Sequence, residues 1–524
     1  MRAVFLLPFV LAFLTRTPSY AQAGTLNTGF SGDGVLVWEL SPSFDVASGV
    51  VVQPDGKIVA TGRIDSAGID VFLVCRLMPD GTPDPSFGIG GVSGTFLGNH
   101  ETCQGYDIEL QSTGAIVVAG IGVIGGPTST DVVLARFLTD GTLDASFGNA
   151  GVVITDLGNG LGPQTPQTLR IMADDRIVLA GTGNGVPFVA RFTADGVPDN
   201  TYGTGGVAWG TVAASVAPMA MRSDGSVVAG GSFANGERSV VVAFTADGLP
   251  DATFGNGGVD SLDVAPGLES IDGLDLLPDG RVAVCGIELQ TGQPGQPFIA
   301  LLGVSGGLDP SFGINGVVNV SYPGVQTAQA SDLIVSPDGK ILVSGYTQYA
   351  DPAAANDFFL YRLLQDGTFD PSFALGGQVS TDVSTNYDVV QHMALAPNGS
   401  IVLTGYAADG QQTGGAYACY LNDSGTGVIN AAPAQGVLAA FPNPAMDCVT
   451  VDFSLREAGR VSIALIAADG HSGEITDAGP HSAGTQRCTI PLPADLASGP
   501  YIARISTPLE TLHTIIVVVG PVGP

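Results

Sequence analysis

A variant of Leu-Asp-Pro-Ser-Phe-Gly recurs seven times between Leu26 and Ala374, and no other feature of the chain limits its fold as strongly. The central aromatic is Phe30, Phe87, Phe147, Tyr202, Phe254, Phe312 and Phe373, so successive copies lie 57, 60, 55, 52, 58 and 61 residues apart. A period of that length marks an array of supersecondary units, none of which can bury its hydrophobic face alone. Each unit holds four short strand-like runs. In the stretch that starts at the second copy they begin at Gly91-Val92 and continue as Asp107–Leu110, Ala115–Ala119 and Val132–Phe137.

A tight turn separates the second run from the third: Asp55-Gly56, Thr113-Gly114, Asp224-Gly225, Asp279-Gly280, Asp338-Gly339 and Asn398-Gly399, with Asp174-Asp175 in the third unit. Such dipeptides predict a type I′ hairpin with both central residues at positive φ. A glycine follows the third run in every unit (Gly62, Gly120, Gly181, Gly230, Gly286, Gly345, Gly405), where a side chain would obstruct a turn or a neighbour. Four antiparallel strands, repeated seven times without helical periodicity, predict a β-propeller whose blades bury their faces against one another, the motif aromatic acting as a wedge between them. If the run after each motif is the outermost strand, the last unit lacks its fourth strand and the chain begins with a spare one, Gly34–Trp38. Pairing the two closes the ring and removes exposed edges. The same order places the uniform Asp-Gly and motif turns on one face. The dissimilar connections, Ile121–Asp131, Ile287–Pro297 and Tyr346–Asp357, fall on the other, where function is expected.

Composition narrows the partners. With 49 acidic against 18 basic residues the net charge is -31, and Lys57 and Lys340 are the only lysines, which excludes the clustered cations that nucleic acid or an anionic membrane requires. Arg2, the apolar run Ala3–Leu14 and the small-x-small pattern Ala21-Gln22-Ala23 read as an export signal cleaved after Ala23. No later run is apolar for long enough to form a transmembrane helix. Six cysteines are few for 524 residues, so the fold rests on packing; Cys448 with Cys488 is the pair to test, with free thiols the alternative.

Leu143-Asp144-Ala145-Ser146-Phe147-Gly148, hairpins such as Pro337–Ile341 and runs such as Leu134-Ala135-Arg136-Phe137 together resemble the delta-60 repeat family of β-propellers over about Leu26 to Leu421. The arginine of the fourth run is present as Arg76, Arg136, Arg191 and Arg362 but replaced by Ala243 and Leu301. Membership implies a propeller and no particular activity. Beyond a Gly-, Ala- and Asn-rich stretch, Phe441–Ala445, Val449–Phe453 and Ser498–Ile505 resemble the C-terminal sorting domain of proteins exported by the type IX secretion system, with His513 where that family usually has a basic residue. That resemblance implies a small β-sandwich and the type IX secretion machinery as partner. The expected fold is therefore all-β, a seven-bladed β-propeller followed by a small β-sandwich domain. Its parts are a signal peptide at 1–23, the ring at 24–421, a linker at 422–436 and the sorting domain at 437–524.

Signals of chemistry are few. Of the histidines in the repeats, His100 and His392 stand far apart, and an isolated histidine is more often structural than catalytic. Gly303–Gly307 spells a nucleophile elbow and Gly120–Gly125 a dinucleotide fingerprint, but neither is followed by the helix that either motif needs. Asp45, Asp107, Asp272, Asp332 and Asp388 recur near the start of the inner run in five units. Symmetry would gather them near the axis as candidate metal ligands, calcium being the cofactor to consider, or they hydrogen-bond turn backbone. Tyr346, Tyr349 and Tyr406, on the variable loops of the last two units, are candidate ligand-binding residues that stack on a sugar or peptide. The reading is an exported, surface-displayed or secreted binding or adhesion module for an extracellular polymer or protein. The alternative is a secreted polysaccharide- or peptide-degrading enzyme that uses carboxylates on the variable face.

Overall fold

The computed structural model describes residues 23–422 and 437–518, apart from 42–44, 67–68, 96–101, 124–129, 159–162, 265, 323–324, 350–355, 385–386 and 409–412 in the first part and 442–447, 456–458, 468–471, 482–483, 493–498 and 507–510 in the second. Residues 1–22 of the expected signal peptide, 423–436 of the expected linker, and His100 lie outside the described residues. The chain divides into two units, Met1–Gly425 and Thr426–Pro524. Among the described residues no helix is long and apolar enough to cross a membrane.

The first unit is a seven-bladed β-propeller. Blade 1 runs Asp45–Val52, Ile58–Ser66, Ile69–Leu77 and Val92–Thr95 from the innermost strand outward, all neighbours antiparallel. The innermost strands of blades 2 to 7 are Thr102–Leu110, Gln164–Ile171, Ala214–Met221, Leu268–Leu276, Val325–Val335 and Tyr387–Leu395. Closure is as the run count predicts. Val35–Trp38 joins the third strand of blade 7, Thr413–Tyr420, with Val35 opposite Ala418 and Trp38 opposite Gly415.

Seven hydrophobic clusters fill the seven seams between blades, and each contains one motif aromatic. Phe30 packs between blades 7 and 1, Phe87 between 1 and 2, and so on round to Phe373 between 6 and 7. None of the seven rings is more than 1% exposed. Burying each one contributes roughly 1.5–3 kcal/mol.

The uniform face is stitched from blade to blade. In blades 1, 2, 3 and 6 the third-strand arginine meets the motif aspartate, Arg76 with Asp84, Arg136 with Asp144 and Arg191 with Asp199 at 2.8 Å and Arg362 with Asp370 at 2.9 Å. The guanidinium lies over the motif ring, 4.5 Å from its centroid for Phe87 and 4.7 Å for Phe147. It then donates to a carbonyl of the following blade, from Arg76 to Thr139 at 2.6 Å and from Arg136 to Ala194 and Arg191 to Ala246 at 2.7 Å. Blade 5, with Leu301 at the arginine position, has Arg281 of its inner hairpin on Asp309 at 2.9 Å. Blade 7 loses both charges together: Cys419 stands at the arginine position, and Asn27, in place of the aspartate, donates to its sulfur. These partners fix the acids in ionised form. Burial pushes the Asp84 carboxyl up, but hydrogen bonds from Ser86, the Arg76 charge and Lys57 outweigh it and hold it at about 2. Bonds from Ser311 and Arg281 hold Asp309 at about 2 as well.

Three local expectations are corrected. The inner hairpins are not type I′, since of each pair only the second residue has positive φ, 86° at Gly56 and 64° at Asp175. Gly56 donates to Gln53 and Gln53 to Lys57, both at 2.8 Å, which makes a three-residue loop: a type I turn followed by one left-handed residue. Asp175 tolerates that conformation because its carboxylate accepts the N–H of Ser112 at 2.7 Å and also its hydroxyl. The recurrent glycine sits inside the second strand, opposite a register shift in the first, where a Cβ on Gly62 would overlap the carbonyl of Val46; in blade 4 the residue in that place is Gly231, not Gly230.

In the second unit Val437–Phe441, Cys448–Leu455 and Gly484–Pro491 form one antiparallel sheet; Ser472–His481, Gly459–Ala467, Gly499–Ser506 and Thr511–Val518 form another. Val451, Val461, Ile463 and Ile505 are buried. Cys488 is a free thiol opposite Val451, three positions from Cys448 and so about 10 Å from it along the strand, beyond disulfide reach.

Candidate ligand-binding site

The seven innermost strands surround an axial cavity of about 490 Å³. Its polar wall carries Asp107 and Glu109 from blade 2, Arg170 from blade 3, Asp272 and Asp275 from blade 5, Asp332 from blade 6 and His392 from blade 7. Every innermost strand has a register shift near its midpoint, and that shift decides which residues reach the axis. The five recurrent aspartates therefore fall into three classes. Asp107 and Asp332 follow the shift, Asp272 is itself the extra residue, and Asp45 and Asp388 precede it and stay off the cavity wall.

Asp45 and Asp388 hydrogen-bond turn backbone. Asp45 accepts the N–H groups of Leu40 and Ser41, and Asp388 those of Val383 and Ser384. The axial acids satisfy backbone too, but across blades. An innermost strand has a free edge whose N–H groups need partners. Asp107 accepts Leu169 N–H, Asp275 accepts Val335 N–H and Asp332 accepts Met393 N–H, each at 2.8 Å and each from the next blade. Asp107 also meets Arg170 at 3.2 Å, and Asp332 meets His392 Nδ1 at 3.5 Å. Among the described residues no group of three or more His, Cys, Asp and Glu is arranged to hold a metal.

Two acids are less completely partnered. Loss of solvent pushes the Glu109 carboxyl up to about 7, with Arg170 at 3.5 Å opposing and Asp107 adding to the rise. Burial pushes Asp272 up to about 6 against hydrogen bonds from Ser270 and Gln329. A polar relay runs from Asp272 along this wall: Gln329 donates to it at 3.1 Å and accepts from the Tyr346 hydroxyl at 3.0 Å.

The tyrosines are placed differently from the expectation. Tyr346 and Tyr349 belong to the strand Ile341–Tyr349 and Tyr406 to Ile401–Ala408, so all three stand on strand ends rather than on loops. Only Tyr346 lines the cavity. Tyr349 is committed to Asp357 at 3.3 Å, and Tyr406 stacks on Tyr387 with ring centroids 6.1 Å apart. Tyr387, which the sequence gives no reason to single out, is 38% exposed beside them at the head of an innermost strand. His392 is axial, a placement that its isolation in sequence does not reveal. Gly303–Gly307 is the turn between the third and fourth strands of blade 5, and Gly120–Gly125 begins in the strand Ile116–Val123.

A family model described as "Domain of unknown function (DUF5122) beta-propeller" matches residues 53–87, 111–147, 173–202, 222–254 and 336–373, each stretch running from an inner hairpin to a motif aromatic. The protein is a β-propeller repeat protein. No curated protein matches it in sequence. Among solved structures it is similar to PorZ of Porphyromonas gingivalis, titled an essential bacterial surface component of the type-IX secretion system, at 12% identity and a TM-score of 0.27 over 90% of this chain and 74% of that one. It is also similar to the PQQ-bound aldose sugar dehydrogenase of Streptomyces coelicolor, at 12% identity and a TM-score of 0.35 over 74% and 98%. A third is levansucrase of Bacillus subtilis, at 10% identity and 0.31 over 70% and 94%. Likeness of this order carries no functional weight.

Proposed function

We propose that this protein is an exported binding module that engages an extracellular polymer at the variable-face mouth of its axial cavity. The observation that carries this reading is the inequality of the two faces: one repeats the same stitching in blade after blade, while the residues around the axis differ from blade to blade. The cavity suits an uncharged, polyhydroxylated chain end. Its volume falls within the range of small-ligand sites. The Asp272–Gln329–Tyr346 relay offers donors and acceptors in fixed positions, and the Tyr387–Tyr406 pair offers an aromatic platform. Asp107, Asp275 and Asp332 already hold backbone N–H groups, so they call for no cationic ligand.

Export through the N-terminal leader formed by Arg2 and the apolar run Ala3–Leu14, and passage across the outer membrane by a β-sandwich sorting domain at 437–524 working with the type IX machinery, belong to the same reading. A glycan array probed with the secreted protein tests the binding. Neutral glycans retained by the parent and lost by Gln329→Ala or Tyr387→Ala support it; retention of basic peptides alone contradicts it. Deleting residues 437–524 leaves the ring in the periplasm, and unchanged surface display refutes the sorting role. The raised carboxyls of Glu109 and Asp272 favour a second reading, an acid–base pair in a polysaccharide-degrading enzyme. Release of products, abolished by Glu109→Gln, distinguishes it from binding alone.

A further inference from the structure

The seventh turn of the uniform face is built from both ends of the chain, and it identifies where the leader is removed. In six seams the residue after the motif aromatic donates its N–H to a carbonyl in the next blade: Ser31 to Asp80, Gly88 to Asp140, Gly148 to Asp195, Gly203 to Asp247, Gly255 to Ser305 and Gly313 to Asp366. Each acceptor precedes a glycine at positive φ, such as Gly81 at 83° and Gly141 at 87°. In the seventh seam the donor is Ala374, the acceptor at 2.6 Å is Ala23, and Gly24 follows at a φ of 81°.

The correspondence extends on both sides. In blade 2, Gly141 donates to Leu138 at 2.9 Å and Leu138 to Thr142 at 2.7 Å; in the seventh turn Gly24 donates to Leu421 at 2.6 Å and Leu421 to Thr25 at 2.9 Å. Arg76 of blade 1 donates to the carbonyl of Thr139, the residue after Leu138, and Arg362 of blade 6 donates to that of Asn422, the residue after Leu421. Leu421-Asn422 and Ala23-Gly24-Thr25 thus make one turn whose halves come from opposite ends of the propeller. Ala23 is 1% exposed, packed in the seam between blades 6 and 7.

Two small-x-small patterns stand at this junction, Ala21-Gln22-Ala23 and Ser19-Tyr20-Ala21. Cleavage after Ala23 discards the seventh acceptor and splits the turn, whereas cleavage after Ala21 keeps the turn whole. The structure assigns the processing site to the Ala21–Gln22 bond, so that the mature chain begins at Gln22 and Ala23 is a ring residue. This rests on the export reading proposed above.

The N-terminal peptide of the protein recovered after export from its own host, read by mass spectrometry, tests the assignment. A mature chain beginning at Gln22 is the expected result. One beginning at Gly24 overturns the assignment and leaves export intact, while a retained leader overturns both. Because the peptidase can tolerate either bond, two refolded chains starting at Gln22 and at Gly24 supply a second readout. The shorter is expected to melt about 1–2 °C lower; equal melting temperatures remove the structural reason for the assignment.

Discussion

The uniform face and the axial wall are made from the same seven strand sets, yet they spend their charged residues differently. On the uniform face an arginine, an aspartate and an aromatic ring recur as one unit in blades 1, 2, 3 and 6; blade 7 replaces both charges with Cys419 and Asn27, and blade 5 supplies its cation from Arg281. Along the axis the acids are unequal: Asp107, Asp275 and Asp332 hold N–H groups of the next blade, whereas burial pushes Glu109 up to about 7 and Asp272 up to about 6 with no such bond across the seam. A repeated contact can be checked against its six copies, whereas a residue unlike its counterparts is one the ring does not need.

The largest effect that breaks this comparison is removal of residues 23–38, which takes the outer strand of blade 7, Phe30 and half of the seventh turn. The shortened chain is expected to lose the cooperative melting of a closed ring, which calorimetry detects. Phe147→Ala comes next, costing about 3–5 kcal/mol in denaturant unfolding. Arg76→Met is expected to cost less, about 1–3 kcal/mol, because Lys57 and Ser86 still hold Asp84 when the guanidinium is gone. The double change Arg76→Cys with Asp84→Asn, which copies blade 7, is expected to recover more than half of that loss; additive losses would show that the pair is not a unit.

The two regions also respond to pH with opposite sign. Asp84 and Asp309 are held at about 2 in the fold, against about 3.9 in an unfolded chain, so they stabilise the ring above pH 4 and lose that contribution as pH falls toward 2. Glu109 at about 7 and Asp272 at about 6 bind protons more tightly folded than unfolded, so stability declines as pH rises from about 4 to 7. A melting-temperature profile with its maximum between about pH 4 and 6 sharpens the contrast; a monotonic rise to pH 8 removes it. The smallest effect concerns calcium. Because Asp107, Asp275 and Asp332 are engaged by backbone N–H groups, millimolar calcium and its chelation are expected to leave the melting temperature unchanged.

Much of the ring is legible in the residues. The seven motif copies count the blades, the spare run at Gly34–Trp38 announces closure, and the motif aromatics are the inter-blade wedges. What escapes is whatever depends on register. The axial residues are selected by a shift in each innermost strand, so five aspartates that look alike in sequence separate into three environments, and His392 joins Asp332 across a seam. The role of the third-strand arginine is equally hidden, because its partners lie eight residues away in its own blade and in a carbonyl of the next. The split seventh turn is readable only by aligning Ala23-Gly24-Thr25-Leu26-Asn27 with Asp140-Gly141-Thr142-Leu143-Asp144, a match that the small-x-small reading of Ala21-Gln22-Ala23 obscures.

Native-state hydrogen exchange tests most directly whether one face closes and holds the ring while the other is left free to differ. The amides of Val35–Trp38 that face Thr413–Tyr420 across the ladder are expected to exchange as slowly as those of that strand, and the post-motif amides of all seven seams, Ala374 included, to be protected alike. Rapid, independent exchange at the ladder-facing amides of Val35–Trp38 or at Ala374, with the remaining blades protected, would contradict the account.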